Sequence, residues 1–369
     1  MEKAVNPLVS VIIPVYNGDN YLQEAIESIF RQTYAHYEVI VVDDGSKDST
    51  WQVIQSYGSK IRGYHKPNGG VASALNWGIA RAQGDWIAWL SHDDVFFPEK
   101  LEKQLRFLSQ NPEYQACYTD FEIVDANGEY GSTVRTSWFP AKQLPRQFLR
   151  NMFINGSTVL IHRVCFERTG GFDESLSHTQ DLEMWLRIAQ NFEFGRLPVV
   201  LLKSRSHPGQ GAMAFEIQLD QEQALFCRLY QRLGPQRFFP ELEPLRDPQQ
   251  VEAQGRRLLG DELARYRGWY RFALDQYQLS SRLQPSFQTW LKIAHTRTCL
   301  ILWGDEKESQ LLGKRARVLS GQGKRFMARE LSAKFWLRHP LRLDALLTWF
   351  RTWAPDSLIA VLKRLKRRL

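Results

Sequence analysis

Residues 9–44 read VSVIIPVYNGDNYLQEAIESIFRQTYAHYEVIVVDD, and this stretch decides the fold. Val9–Val15 is an apolar, β-branched run that stops at Tyr16-Asn17-Gly18, the pattern of a buried strand. From Tyr21 onward, apolar residues at Leu22, Ile26, Ile29 and Phe30 keep helical spacing. Residues 37–42 form a second apolar run, which ends at Asp43-Asp44-Gly45-Ser46. Next, Lys47-Asp48-Ser49-Thr50 offers N-cap chemistry to a helix over 51–57. Asn68-Gly69-Gly70 is a turn before a helix from 71 to about 82. Residues 86–90 are a third strand ending at Ser91-His92-Asp93-Asp94, and Pro98 opens a helix to about 109.

This strand-helix alternation predicts βαβ units and a mostly parallel, Rossmann-like α/β sheet with flanking helices. In such sheets ligands sit outside the carboxyl ends of the strands, and both acidic pairs fall there. Two acidic clusters at one sheet edge repel each other. The arrangement makes sense when a cation or hydrogen-bond donors complete it.

The chain has 369 residues, enough for two domains. With 43% hydrophobic and 24% charged residues it has the composition of a globular protein, not a disordered one. No apolar run reaches the roughly 18–20 residues of a membrane span, and mean hydropathy is -0.39. Residues 1–17 carry no cationic n-region and no cleavage pattern, so no signal peptide is expected. Cys117, Cys165, Cys227 and Cys299 lie far apart, which argues against a zinc ribbon or a disulfide framework and fits a reducing compartment. Residues 115–205 mix short strands with a helix near 182–190, and the chain reads as helical from about 216. The expected division is a first domain over 1–215 and a helical C-terminal region over 216–369.

Charge is unevenly placed. Residues 311–369 hold 15 Lys and Arg against 3 Asp and Glu, whereas residues 1–240 hold 23 against 27. Leu358, Val361, Leu362, Leu365 and Leu369 recur on one helical face, with Lys363, Arg364, Lys366, Arg367 and Arg368 around the rest. That is a basic amphipathic segment suited to an anionic lipid surface, with a solvated helix face or a protein partner as alternatives. No nucleic-acid recognition motif accompanies the charge.

Four motifs, in order, carry a resemblance. They are residues 9–50, then NGGVASALNWGIARAQGDWIAWLSHDD (68–94), GGFDESLSHTQDLEMWLRIA (170–189) and RSHPGQG (205–211). Together they resemble inverting family 2 glycosyltransferases of the GT-A fold, of the kind that build bacterial cell-surface polysaccharide. The resemblance covers about residues 8–215. It implies transfer of a sugar from a nucleotide diphosphate donor, UDP foremost with dTDP and GDP as alternatives, to a glycan or lipid-linked glycan. It also implies a Mn2+ or Mg2+ cofactor and a cytoplasmic enzyme, with the basic tail on the cytoplasmic face of the inner membrane.

The resemblance implies these roles residue by residue. Pro14 and Tyr16 lie along the nucleotide base, and Asp44 accepts from a pyrimidine imide N–H, as an ionised carboxylate can. An Asx turn explains Asp43-Asp44-Gly45-Ser46 equally well in isolation. Asp93 and Asp94 match the family's Asp-x-Asp-Asp, with Ser91 replacing its first carboxylate, which leaves open which of the two ligates metal. His207 is a further metal or diphosphate ligand, and Arg205 a bidentate phosphate donor. The family's base lies in a Glu-Asp pair before a Trp-x-x-Arg helix; here Asp181 matches the base and Gln180 replaces the glutamate. Gly170-Gly171 precedes the acceptor site, with positive φ or close backbone approach as its reason. Trp138, Phe139 and Trp185 are either core residues or sugar-stacking platforms.

Two other functions compete. A sugar-1-phosphate nucleotidyltransferase shares such a sheet, but its cationic glycine-rich loop is missing from Tyr16-Asn17-Gly18-Asp19. A non-catalytic binding module on a decayed transferase fold is favoured by Ser91 and Gln180.

Overall fold

Every residue of β1 (Val9–Val15) is buried. The reason is that helices cover both faces of the strand, so no position along it has to be polar. The computed structural model describes residues 6–150, 153–207, 215–264 and 270–303. The basic segment over 358–369 therefore lies outside the described residues, as do Pro208–Gly211 of the fourth motif. After β1 come α1 (Leu22–Phe30), β2 (Tyr37–Asp43), α2 (Thr50–Ser56), β3 (Arg62–His65), α3 (Val71–Ile79), β4 (Trp86–Trp89) and β5 (Val95–Phe96). Then follow α4 (Lys100–Gln110), β6 (Tyr114–Val124), β7 (Tyr130–Val134), α5 (Leu144–Arg150), β8 (Leu160–His162), α6 (Arg163–Thr169), α7 (Gln180–Ile188), β9 (Glu193–Arg205), α8 (Phe215–Leu233) and the single turn α9 (Pro235–Phe238).

The sheet runs β3-β2-β1-β4-β8-β6-β9-β5, with β7 on the side of β6. Strands β3, β2, β1 and β4 are parallel, the Rossmann-like half expected from the alternation. Beyond β4 the sheet is mixed, because β8 is antiparallel to both β4 and β6 while β9 is parallel to β6. This is a GT-A-like core. Leu22, Ala25, Ile26 and Ile29 of α1 join Val9, Val11, Ile13 and Val15 in one cluster. On the other face Gly78 of α3 meets Ile12 so closely that a Cβ there would lie 2.5 Å from it. Fully burying each such aliphatic side chain contributes roughly 1.5–3 kcal/mol.

Strand β3 was not legible in the sequence. Its four residues Arg-Gly-Tyr-His lack an apolar run because it is an edge strand, paired only with β2 and half-exposed.

The chain divides after Phe238 into two compact units, with α8 in the first. In the second, α10 (Pro248–Glu262), α11 (Tyr270–Leu283) and α12 (Phe287–Trp303) make the helical C-terminal region. Asp247 caps α10 by accepting from the N–H groups of Gln249 and Gln250, and Pro248 occupies the first turn. Gly260 allows the Tyr277 ring of α11 to lie against α10. No helix among the described residues is long and apolar enough to cross a membrane.

Candidate functional site

The site starts at a place where the central ladder stops. Leu90 N–H donates to Ile12 O at 3.0 Å. The next bond of that ladder would need an N–H from residue 14, and Pro14 has none. β1 and β4 therefore part at their carboxyl ends. The β1 and β2 ladder continues to Val15 and Asp43. The ends of β2 and β4 flank β1, so the two acidic pairs follow strands two places apart in the sheet. Between them runs the loop from Tyr16, whose ring is 43% exposed. Asn17 takes a left-handed φ of 50°, and a Cβ at Gly18 would lie 2.4 Å from the His92 ring.

The members of the first pair face different ways. Asp43 is fully buried; it accepts from Ser46 N–H at 2.9 Å and contacts His65 Nδ1 at 2.8 Å, so it ties turn to edge strand. Asp44 takes the Lys66 ammonium at 2.5 Å on Oδ1 and the N–H groups of Gly69 and Gly70 at 2.7–3.1 Å. A carboxylate offers about four acceptor positions, and the loop 66–70 engages them. Asp44 thus organises the turn that starts α3.

In the second pair the structure separates two residues that the motif leaves equivalent. Asp93 Oδ2 lies 3.1 Å from His207 Nε2, both side chains nearly buried. Asp94 turns toward the protein: it accepts from Arg205 N–H at 3.0 Å and from the hydroxyls of Ser157 and Ser204. Burial, with the charge of Asp93, pushes the Asp94 carboxyl up to about 7. Ser91 donates its backbone N–H to Ser157. Burial also holds the His92 imidazole below its usual range. Among the described residues no group of three or more His, Cys, Asp or Glu is placed to hold a metal.

Arg205 corrects an expectation. Its guanidinium was expected at the diphosphate, but it is 3% exposed and donates to Asp93 O, Asp125 O, Ala126 O and Glu24 Oε2.

The third region is built around α7. Arg187 donates to Thr169 O and Gly171 O and pairs with Glu183, so the arginine of Trp185-Leu186-Arg187, which stands one residue closer to the tryptophan than in the family's Trp-x-x-Arg, holds the glycine turn. Both glycine explanations apply, one to each residue. Gly170 has φ +82°, and a Cβ on Gly171 would lie 2.4 Å from Asn76 Oδ1. Asn76 in turn fastens Phe172 and Glu174 to α3, which brings the segment before Asp181 beside the turn that Asp44 organises. Asp181 lies in the first turn of α7 rather than at its cap, which is Thr179. Its Oδ1 accepts from Leu182 N–H at 2.7 Å. Burial pushes its carboxyl up to about 6, the nearby Glu222 adds to this, and the Leu182 N–H opposes it. Beside it the buried Gln180 Oε1 has no hydrogen-bond partner among the described residues. Of the aromatic candidates, Trp185 is fully buried core, Phe139 packs against Phe153, and Trp138 is 45% exposed.

Sequence reasoning missed Lys66, Asn76, Ser157, Glu24 and Glu222. Lys66 had one usable signal, a lone cation two residues before the Asn68-Gly69-Gly70 turn. The others come from elements whose pairing no local pattern encodes.

A family model for "Glycosyl transferase family 2" matches residues 10–170. An uncharacterised glycosyltransferase of Rickettsia typhi is 38% identical over 239 residues, 64% of this chain and 75% of that protein. One of Rickettsia bellii is 42% identical over 236 residues, a match that spans 62% of this chain but only 34% of the relative. A putative teichuronic acid biosynthesis glycosyltransferase of Bacillus subtilis is 34% identical over 188 residues, 49% of this chain and 72% of that protein. Among solved structures, Staphylococcus aureus TarS 1-349 in complex with UDP aligns with TM-score 0.50 and 17% identity over 87% of this chain and 88% of that one. The mannosyltransferase PcManGT of Pyrobaculum calidifontis, in complex with GDP-Man and Mn2+, aligns with TM-score 0.50 and 20% identity over 88% of each chain. At these identities the structural likeness speaks for the fold alone.

Proposed function

The chain belongs to glycosyl transferase family 2, and on that premise we propose that it moves a sugar from a nucleotide diphosphate donor to a hydroxyl of a glycan or lipid-linked glycan, with inversion. One arrangement supports this reading: Asp44 and Asp93 follow the carboxyl ends of the two parallel strands that flank β1, and Asn76 fastens the segment before Asp181 to α3, the helix that starts at the Asp44 turn. UDP is the leading donor nucleotide. The UDP complex of TarS supports it, and GDP-mannose in PcManGT keeps GDP as an alternative. The nucleotide would lie along Pro14 and Tyr16, over the turn held by Asp44, with Asp93 at its diphosphate.

Asp93 and His207 would hold a Mn2+ or Mg2+ ion. Two protein donors, one carboxylate and one imidazole, suit a cation that takes its remaining ligands from phosphates and water. When bound, the ion supplies charge neutralisation of the leaving diphosphate. Asp94 keeps the loop in place from below.

Asp181 is the base. The acceptor oxygen forms a bond to the anomeric carbon, the bond from that carbon to the diphosphate oxygen breaks, and the hydroxyl proton goes to Asp181. A carboxyl held near 6 is ionised at neutral pH, yet more basic than an ordinary aspartate, which suits a general base. Gln180 keeps hydrogen bonding at the place of the family's glutamate and would shape acceptor choice.

The transferase work belongs to residues 1–215, and the helical region 216–369 serves the acceptor or the membrane through its basic end. On this reading the enzyme works in the cytoplasm, on the anionic face of the inner membrane where lipid-linked glycans are extended. The similarity to a teichuronic acid biosynthesis protein supports a cell-envelope product.

The test is a panel of UDP-, GDP- and dTDP-sugars scored for nucleotide release with and without Mn2+, alongside calorimetry with UDP. Metal-dependent release from one donor class is expected. Tight UDP binding with no release from any donor, even with glycan acceptors added, would instead favour the non-catalytic module.

A further inference from the structure

We propose that Arg205 is a positioning residue: clamped by Glu24 and Tyr21, it sets the Asp93 and His207 pair for a divalent cation. This rests on the metal role assigned above to that pair.

The guanidinium joins three other chain segments to β9. Its Nε donates to Asp93 O at 3.1 Å. Its Nη1 donates to Ala126 O at 3.1 Å and to Asp125 O at 3.4 Å. Its Nη2 pairs with Glu24 Oε2 of α1 at 2.5 Å. The backbone N–H of the same residue holds Asp94 Oδ1 at 3.0 Å. Arg205 therefore grips the backbone of one acidic residue and the carboxylate of the next, which fixes the direction in which each side chain leaves the loop.

Tyr21 extends this grip to the other half of the pair. The guanidinium carbon lies 4.6 Å from the centre of the Tyr21 ring. The His207 ring centre lies 4.9 Å from the same ring, tilted by 54°. The imidazole thus leans on a ring that Arg205 itself holds, two residues before it in the chain. The turn 125–128 is shaped for its share of the contact. Asp125 Oδ1 accepts from the N–H groups of Asn127 and Glu129, and Gly128 takes φ +84°. The Ala126 carbonyl faces the guanidinium, and the Asp125 carbonyl is shared between it and Gly128 N–H, which donates at 3.0 Å.

Lysine could not replace this. A planar fork with five N–H groups reaches three carbonyls and a carboxylate at once, and a single ammonium does not. With its donors spent on protein acceptors and 3% of its surface exposed, Arg205 acts on the cation through Asp93 and His207 rather than by touching substrate.

The experiment is Mn2+ binding followed by electron paramagnetic resonance, with and without UDP, on the full chain. Metal-free UDP affinity is measured in parallel by calorimetry, and folding by circular dichroism. Residues that orient metal ligands typically contribute about 10–100-fold in affinity. Arg205→Lys is expected to weaken Mn2+ binding by at least about tenfold in that range, with metal-free UDP affinity within about twofold. Tyr21→Leu should show a smaller loss in the same direction, Glu24→Gln a smaller one still, and Tyr21→Phe none. A folded Arg205→Lys that binds Mn2+ like the wild type overturns the proposal. Equal loss of Mn2+ and metal-free UDP binding also overturns it, since Arg205 would then be serving the diphosphate. Should Arg205→Lys not fold, Tyr21→Leu and Glu24→Gln decide, and wild-type affinity in both overturns it. A wild-type chain that takes up no Mn2+ with UDP present removes the metal role underneath, and this proposal with it.

Discussion

Asp181→Asn is the most direct test of the proposed chemistry, because asparagine keeps the shape and the place in the first turn of α7 while removing the carboxylate proposed as base. The carboxyl is held up to about 6, first by burial and further by Glu222, against the Leu182 N–H. About nine-tenths or more is then ionised at pH 7.5 and roughly a tenth at pH 5. In the wild type kcat/KM should rise about tenfold per pH unit up to pH 6 and level off above it. Loss of a general base costs about 10²–10⁴ in rate, and the acid limb should vanish with it. Stability moves the other way. A carboxyl whose folded pKa is raised favours folding while protonated, and the penalty grows as pH climbs from the unfolded value of 3.8 through about 6. About two pKa units convert to a ceiling of about 3 kcal/mol. Asp181→Asn should therefore melt higher than the wild type at pH 8, with the gap closing toward pH 4. The assay is nucleotide release between pH 4.5 and 8.5 with the best donor of the panel, plus melting curves at each pH. An Asp181→Asn enzyme within threefold of wild type, or one that keeps the acid limb, refutes the assignment.

Asp44→Ala should strand the Lys66 ammonium in a buried site, at a cost of about 3–5 kcal/mol. It should lower the melting temperature by roughly 10 °C in a unit of this size, and Asp44→Ala combined with Lys66→Met should recover most of that by calorimetry. Asp93→Ala should abolish Mn2+ uptake in the presence of UDP, whereas Ser157→Ala, which loses bonds to Asp94 and to Ser91 N–H but none to Asp93 or His207, should leave uptake within threefold. Gly171→Ala puts a methyl 2.4 Å from Asn76 Oδ1. Overpacking of that kind costs about 1–3 kcal/mol, and it should lower kcat while UDP affinity stays within twofold. Truncation after residue 340 should move the protein from the pellet to the supernatant with anionic liposomes; equal soluble fractions would refute a membrane role for the tail.

Much of this was readable locally. The unbroken apolar runs of β1 and β2, the helical spacing of α1 and the acid pairs at strand ends are short-range patterns. Each is imposed by a buried sheet whose ligand edge lies at its carboxyl ends. Asp181 could be singled out for the same reason, since the motif that resembles the family's lies within one helix and the turn before it. The loss of the β1–β4 ladder at Pro14 also follows from one residue's missing N–H.

Other features depended on partners far along the chain. Asp93 and Asp94 are chemically identical in the sequence. Only Ser157, Ser204 and the backbone of Arg205, 63 to 111 residues away, turn one inward, and only His207 meets the other. Arg205 reads as a phosphate ligand until Glu24, 181 residues away, is seen to hold it. Trp185 reads as core or as a sugar platform until the structure shows the core closed over it. The sequence alone determined which backbone segments are buried and where their polar ends emerge, because burial and turn formation follow from near neighbours. Tertiary structure decided what each polar group does, because a buried charge goes to whichever donor or acceptor packing brings within 3 Å, and that partner is set by topology rather than by local pattern.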